Sequence, residues 1–194
     1  PEKSFPSNEF RELARERERI AQQIARIKND IEKALVVLFP ELERRTNIYT
    51  EGILRLLEVY PSAWALKYAN VADIEKVLQS VTSGRKLSFT ALDIKKWAKE
   101  SIGQFFPVRE LILKGKIKEL FFLEERLESI NELLKKFCQE AALCQDVELI
   151  KSIKGIGDTT AMHFIAEVGD IGRFSSYKKL IAYCGLDPTV YESG

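Results

Sequence analysis

The sequence has little of what small catalytic or metal sites are built from. Its three cysteines, Cys138, Cys144 and Cys184, are odd in number and show no C-x-x-C spacing. That argues against a zinc site or a disulfide framework and fits free thiols in a reducing compartment. One histidine, His163, leaves no basis for a His-based metal centre. Neither sign of charge dominates: 30 Lys and Arg face 29 Asp and Glu, a net +1, so the whole chain carries no basic footprint of the kind that marks a nucleic-acid binder. No apolar run approaches the roughly 20 residues of a membrane span, and no membrane partner is expected. The chain opens Pro-Glu-Lys without a signal-like apolar segment, which reads as a fragment or processed form of a cytoplasmic protein. What is present, 45% hydrophobic and 30% charged residues over 194 positions, is globular composition with room for one domain or two small ones.

Proline and glycine are scarce and uneven. Prolines stand at 1, 6, 40, 61, 107 and 188, and six of the ten glycines lie in the last forty residues. Long uninterrupted segments are therefore expected first and a sharply turned tail last. From Phe10 to Leu38 the apolar residues Phe10, Leu13, Ile20, Ile24, Ile27, Ile31, Ala34 and Leu38 are spaced three and four apart, with Arg17 in the one vacant slot. A second such tract runs Leu120, Leu123, Leu127, Ile130, Leu134 and Phe137, with Ala141 and Cys144 in register to extend it. Both predict heptad seams of a coiled coil, paired within one chain, between chains or both; the plainer alternative is two core helices of a bundle. Between them, helices are predicted over 48–59, 70–81 (Asn70 or Asp73 as cap) and 90–99 (opened by Ser88 or Thr90). Trp64 and Trp97 are expected in that subdomain's core or against the coiled coil. Asp30, Asp73, Asp93 and Asp146 are expected on solvated helix faces, not in a metal site.

The predicted fold is thus all-α. A first coiled-coil helix occupies 1–40, a helical subdomain 41–106, a second coiled-coil helix 107–147 and a helix-hairpin-helix segment 148–194.

The tail carries the chemistry. Residues 149–161 read Leu-Ile-Lys-Ser-Ile-Lys-Gly-Ile-Gly-Asp-Thr-Thr-Ala, a helix end, a hairpin and a new helix capped by Asp158 or Thr159. Two glycines permit a tight turn, Ile156 would anchor it in the core, and free N–H groups at the next helix start can hold a phosphate oxygen. Lys154, Gly155, Ile156, Gly157, Asp158, Thr159 and Thr160 are the candidate nucleic-acid contacts, of a kind that positions the backbone without reading sequence. The bland reading is a glycine-rich turn between packed helices. Five basic against six acidic residues over 148–194 predict weak binding by the tail alone. A short helix over 177–184 should follow, capped by Ser175 or Ser176 and stopped by Gly185 in the left-handed conformation.

Ser-Ile-Lys-Gly-Ile-Gly-Asp-Thr-Thr-Ala, Ala-Glu-Val-Gly-Asp-Ile-Gly-Arg-Phe, Lys-Leu-Ile-Ala-Tyr-Cys-Gly-Leu-Asp-Pro and Tyr-Glu-Ser-Gly closely resemble the C-terminal domain of the DEDD insertion-sequence transposases. That family comprises bridge-RNA-guided serine recombinases and includes the pilin-gene invertase. The likeness is strong over 150–194 and looser but collinear upstream, including Phe39 to Glu43. It implies DNA recombination during transposition, with Ser193 as the nucleophile that becomes joined to DNA. A RuvC-like domain of four carboxylates would supply divalent metal, Mg being expected there and no cofactor in this stretch. Partners implied are DNA, a structured guide RNA and a second copy through the coiled coil. No RuvC-like pattern of strands and spaced acids occurs in this sequence, so the fragment alone is expected to be inactive. The alternative is a non-catalytic coiled-coil helix-hairpin-helix module in a DNA-binding or scaffold protein, and a weaker one a purely structural coiled coil.

Overall fold

The computed structural model describes residues 8–81 and 88–185. Among them there are ten α-helices, one 3-10 turn and no strand, as the all-α reading expects. The described residues divide into two compact units, one within 20–127 and a second made of 8–19 with 128–185. Two long helices, α1 (Asn8–Leu38) and α7 (Pro107–Glu140), contribute to both.

In the unit 20–127, Ile20, Ile24, Ile27 and Ile31 of α1 and Leu113, Ile117 and Leu120 of α7 are buried. Lys28 pairs with Glu124 at 3.2 Å and Asp30 with Lys116 at 3.7 Å, so residue numbers rise along one helix as they fall along the other. The two seams therefore meet antiparallel within one chain. The seam of α7 starts earlier than its sequence tract, at Leu113. Pro40 stops α1, and Glu41 just beyond it accepts hydrogen bonds from Ser101 Oγ and from the Ile102 N–H at 3.1 Å. Burial works against that carboxylate, but the two donors hold it below its ordinary range. The Gln104 N–H to Val37 carbonyl bond, 2.8 Å, ties the same corner.

Five shorter helices fill the rest: α2 (Leu42–Arg45), α3 (Glu51–Val59), α4 (Ala63–Tyr68), α5 (Val71–Val81) and α6 (Ala91–Glu100). Thr90 and Asp93 form a reciprocal capping box on α6. Ser62, fully buried, caps α4 through the Ala65 N–H at 3.0 Å and donates to Glu110. Trp97 packs on Phe89 at 5.8 Å. Trp64 departs from the expectation of a core role: it is 44% exposed, and its ring neighbours are the exposed Tyr68 and Phe105. Asp30 and Asp73 lie in ion pairs with lysines and Asp93 in its cap.

In the other unit, Phe10 of α1 meets Phe137 of α7 with ring centroids 6.0 Å apart, and Arg17 Nε donates to Asn131 Oδ1 at 3.3 Å. The pairing is again antiparallel, and the vacant heptad slot is filled by a polar contact. Leu13 is half-buried while Ala14 is buried. Helix α7 does not run on through Cys144. It ends at Glu140, and Ala142 takes a left-handed φ of 55°. The Leu143 N–H reaches the Cys138 carbonyl at 2.9 Å and the Ala142 N–H the Gln139 carbonyl at 3.2 Å, which is the pair of bonds of a Schellman stop. Then come α8 (Cys144–Lys151), α9 (Asp158–Val168), a 3-10 turn at Ile171–Arg173 and α10 (Tyr177–Tyr183). Ser176 occupies the cap position of α10 without a side-chain bond, and Gly185 beyond it has φ 68°. The three cysteines are free. Burial pushes the Cys138 thiol up to about 11, so it is a packing residue.

Candidate nucleic-acid interface

Helix α8 is closed by Ser152, whose N–H bonds the Glu148 carbonyl at 3.1 Å and whose Oγ donates to the Leu149 carbonyl at 2.6 Å. One turn follows, closed by the Ile156 N–H to Ile153 carbonyl bond of 3.1 Å. Gly155 has φ 95°, a conformation that a side chain would strain. Gly157 is the N-cap of α9, with φ −96° and ψ 175° and no side-chain cap. The expected cap, Asp158 or Thr159, is therefore displaced by one position: Asp158 is the first helical residue, and its carboxylate turns to Lys151 Nζ at 2.7 Å. With glycine at the cap, no side-chain oxygen covers the N–H groups of the first turn. A Cβ at Gly155 or at Gly157 would meet nothing within 4 Å, so the backbone of the turn is open to an approaching group.

The seven candidates are consecutive, from the turn into the first turn of α9. Lys154, Gly155, Gly157, Asp158 and Thr160 are exposed, and Ile156 and Thr159 half-buried. Ile156 is thus a partial anchor, where full burial was expected; the core here comes from Val147 of α8 and Ala161, Met162, Ile165 and Ala166 of α9. Ser193 lies outside the described residues.

The local charge is nearly balanced. Lys151 holds both Asp158 and Glu148, each at 2.7 Å, and these two hydrogen bonds push its ammonium up to about 12. The same bond keeps the Asp158 carboxyl below its ordinary range. Lys151 is spent on these carboxylates, and Lys154 is the cation of the turn in no ion pair among the described residues. Contact with a phosphate would rest on backbone N–H groups and on the positive end of α9 more than on net charge.

Sequence reasoning missed what holds α9 in place. Arg11 Nε of α1 donates to the Ala166 carbonyl at 3.1 Å, and Arg15 grips Glu167 with two bonds of 2.6 and 2.8 Å. The Tyr183 hydroxyl donates to the Glu167 carbonyl at 3.1 Å. The Arg15 bond holds the Glu167 carboxyl below its ordinary range, against a smaller opposing effect of burial. Partners 152 residues apart leave no local signal; only the arginines at the start of α1 hint at them.

Among the described residues no group of three or more His, Cys, Asp or Glu side chains could hold a metal ion, and no helix is long and apolar enough to cross a membrane. The donor set for divalent metal implied by the family likeness is not found among them.

Residues 147–194 match the model of the transposase IS116/IS110/IS902 family. The chain is also similar to the transposase for insertion sequence element IS1111A of Coxiella burnetii (strain RSA 493 / Nine Mile phase I), 34% identical over 97 residues. That alignment takes in 50% of this chain and 26% of the relative, so the chain spans about a quarter of the length of the curated protein it matches. No solved structure matches. The family match begins within α8, so the open turn lies inside it.

Proposed function

We propose that this chain is part of an insertion-sequence transposase that moves its element by site-specific recombination of DNA. The observation that carries the reading is the coincidence of the family match over 147–194 with the open α8–turn–α9 geometry. In this reading the two helices and their turn act as a helix-hairpin-helix that seats a DNA phosphate on the first-turn N–H groups of α9, with Lys154 beside it. Ser193 is the nucleophile. Its hydroxyl attacks a phosphodiester, a bond from serine oxygen to phosphorus forms as the bond to the departing DNA oxygen breaks, and the serine proton is passed to a base. The carboxylates of a RuvC-like DEDD domain, supplied by the rest of a longer protein, would bind the divalent metal that polarises the phosphate. A structured guide RNA selects the site, and two copies associate through the long helices.

Recombination by the full-length protein, with and without the noncoding RNA of its element, tests this. Ser193→Ala should lower strand exchange by at least about a thousandfold and leave folding and DNA binding in place. Retained recombination would remove Ser193 from the mechanism, and exchange indifferent to the RNA would remove the guide.

A further inference from the structure

We propose that Trp64, Tyr68, Phe105 and Phe106, flanked by Lys67 and Arg109, form a stacking surface for an unpaired stretch of nucleic acid. The proposal takes its setting from the reading of the chain as part of a nucleic-acid enzyme, but uses none of residues 154–160.

Charge is the first observation. The near-neutral total conceals a strongly basic segment: residues 60–118 carry eleven Lys and Arg against five Asp and Glu, a net +6 in a chain of net +1. Each of those five carboxylates is already engaged. Asp73 pairs with Lys76, Glu100 with Arg45, Glu75 accepts from Gln79, Glu110 from Ser62, and Asp93 is held in the α6 cap. Lys67, Lys99, Arg109, Lys114 and Lys118 stand in no ion pair among the described residues. Lys116 is neutralised from outside the segment by Asp30 and Glu119, but those five cations are not, and a polyanion is the partner that would release counterions on binding them.

The rings are the second. Trp64 stands 5.0 Å from Tyr68 and 4.3 Å from Phe105 between ring centroids. Exposure of these three is 44%, 66% and 51%, and that of Phe106 is 45%. Two of the uncompensated cations sit on the rings: Lys67 Nζ is 5.9 Å from the centre of Tyr68, and the Arg109 guanidinium 5.6 Å from that of Phe106. Bases stack on such faces whatever their sequence, while adjacent cations follow the backbone. A base paired in a duplex does not present its face, so the ligand is single-stranded. A second copy of this chain seated on these rings would bring Lys67 and Arg109 against their own counterparts, which disfavours self-association at the rings themselves.

Fluorescence anisotropy of the 194-residue chain with labelled oligouridine, oligothymidine and a DNA duplex tests the surface. Trp64→Ala with Phe105→Ala should weaken single-strand binding about tenfold or more, with helicity unchanged by circular dichroism. Lys67→Glu with Arg109→Glu alters only surface side chains and keeps the test open if the ring variant misfolds. It should weaken binding and flatten the log–log salt dependence by about 0.7 for each phosphate that is no longer neutralised. Preference between the uridine and thymidine strands tells RNA from DNA as the source. Unchanged single-strand affinity in both variants overturns the proposal. So does a chain that self-associates and is made monomeric by the ring variant with no change in oligonucleotide affinity, which would give the surface to a second copy. Lys154→Glu is read on the duplex: loss there with normal single-strand effects of the ring variants keeps both sites. Loss there with inert ring variants keeps only the turn, and the reverse keeps only the rings.

Discussion

Gly103 shows how one residue can be fixed by the path of a neighbouring stretch of chain. A Cβ at this position would collide with the carbonyl of Leu38, whose carbon lies 2.9 Å away, and backbone cannot step aside as a side-chain tip can. The corner is further held by Glu41 and by the Gln104 N–H bond to Val37. Gly103→Ala should therefore cost about 1–3 kcal/mol, the scale of overpacking in a fixed frame. Gly115 is the control, since a Cβ in the middle of α7 meets nothing within 4 Å. Gly115→Ala should stabilise by about 0.5–1 kcal/mol, through helix propensity and a less flexible unfolded chain. Urea denaturation of both variants checks the pair, and a neutral Gly103→Ala would show that the corner yields.

At the scale of elements, the stop of α7 is the least expected feature. The 3,4 spacing carries on to Ala141 and Cys144, and no glycine or proline interrupts it. The helix nonetheless ends at Glu140, because Ala142 turns left-handed and its Schellman bonds take up the last carbonyls. Alanine bears the strain of that conformation, about 1–2 kcal/mol for an L-residue, while glycine would bear only a greater entropy loss on folding. Ala142→Gly should thus stabilise by about 0.5–1 kcal/mol, seen as a higher urea midpoint with an unchanged slope. A loss of stability would mean that the stop is held by contacts of the alanine methyl. The same residue explains where the sequence could be read and where it could not. The seam of α1 was legible because apolar spacing is a local signal, apart from the exchange of Leu13 for Ala14, a drift expected of a 3.6-residue helix. The break at 142 was hidden because its cause is a conformation that alanine rarely takes. The turn at 154–157 was legible from its glycines. The cap of α9 was not, because Asp158 is drawn to Lys151, and the grip of Arg11 and Arg15 joins residues too far apart to leave a pattern.

For the molecule as a whole, the fate of the heptad seams decides how copies could associate. Each seam is apolar enough to want a partner, and in each unit the partner is the other helix of the same chain. A dimer made through the long helices must then use faces outside the seams. On α7, Leu111 and Phe122 are 72% and 61% exposed, and at eleven residues apart they fall on one face of a helix. Two large apolar side chains left in water on one helix face, roughly 16 Å apart along it, are what such a dimer would have to cover. Light scattering on the 194-residue chain of 22.2 kDa should give the mass of a dimer, and Leu111→Glu with Phe122→Glu should return it to a monomer at unchanged helicity. Because neither side chain contributes to the buried seam, loss of helix is not expected from this pair. A monomer mass for the unaltered chain, with its seams satisfied in cis, would mean that this face of α7 does not pair.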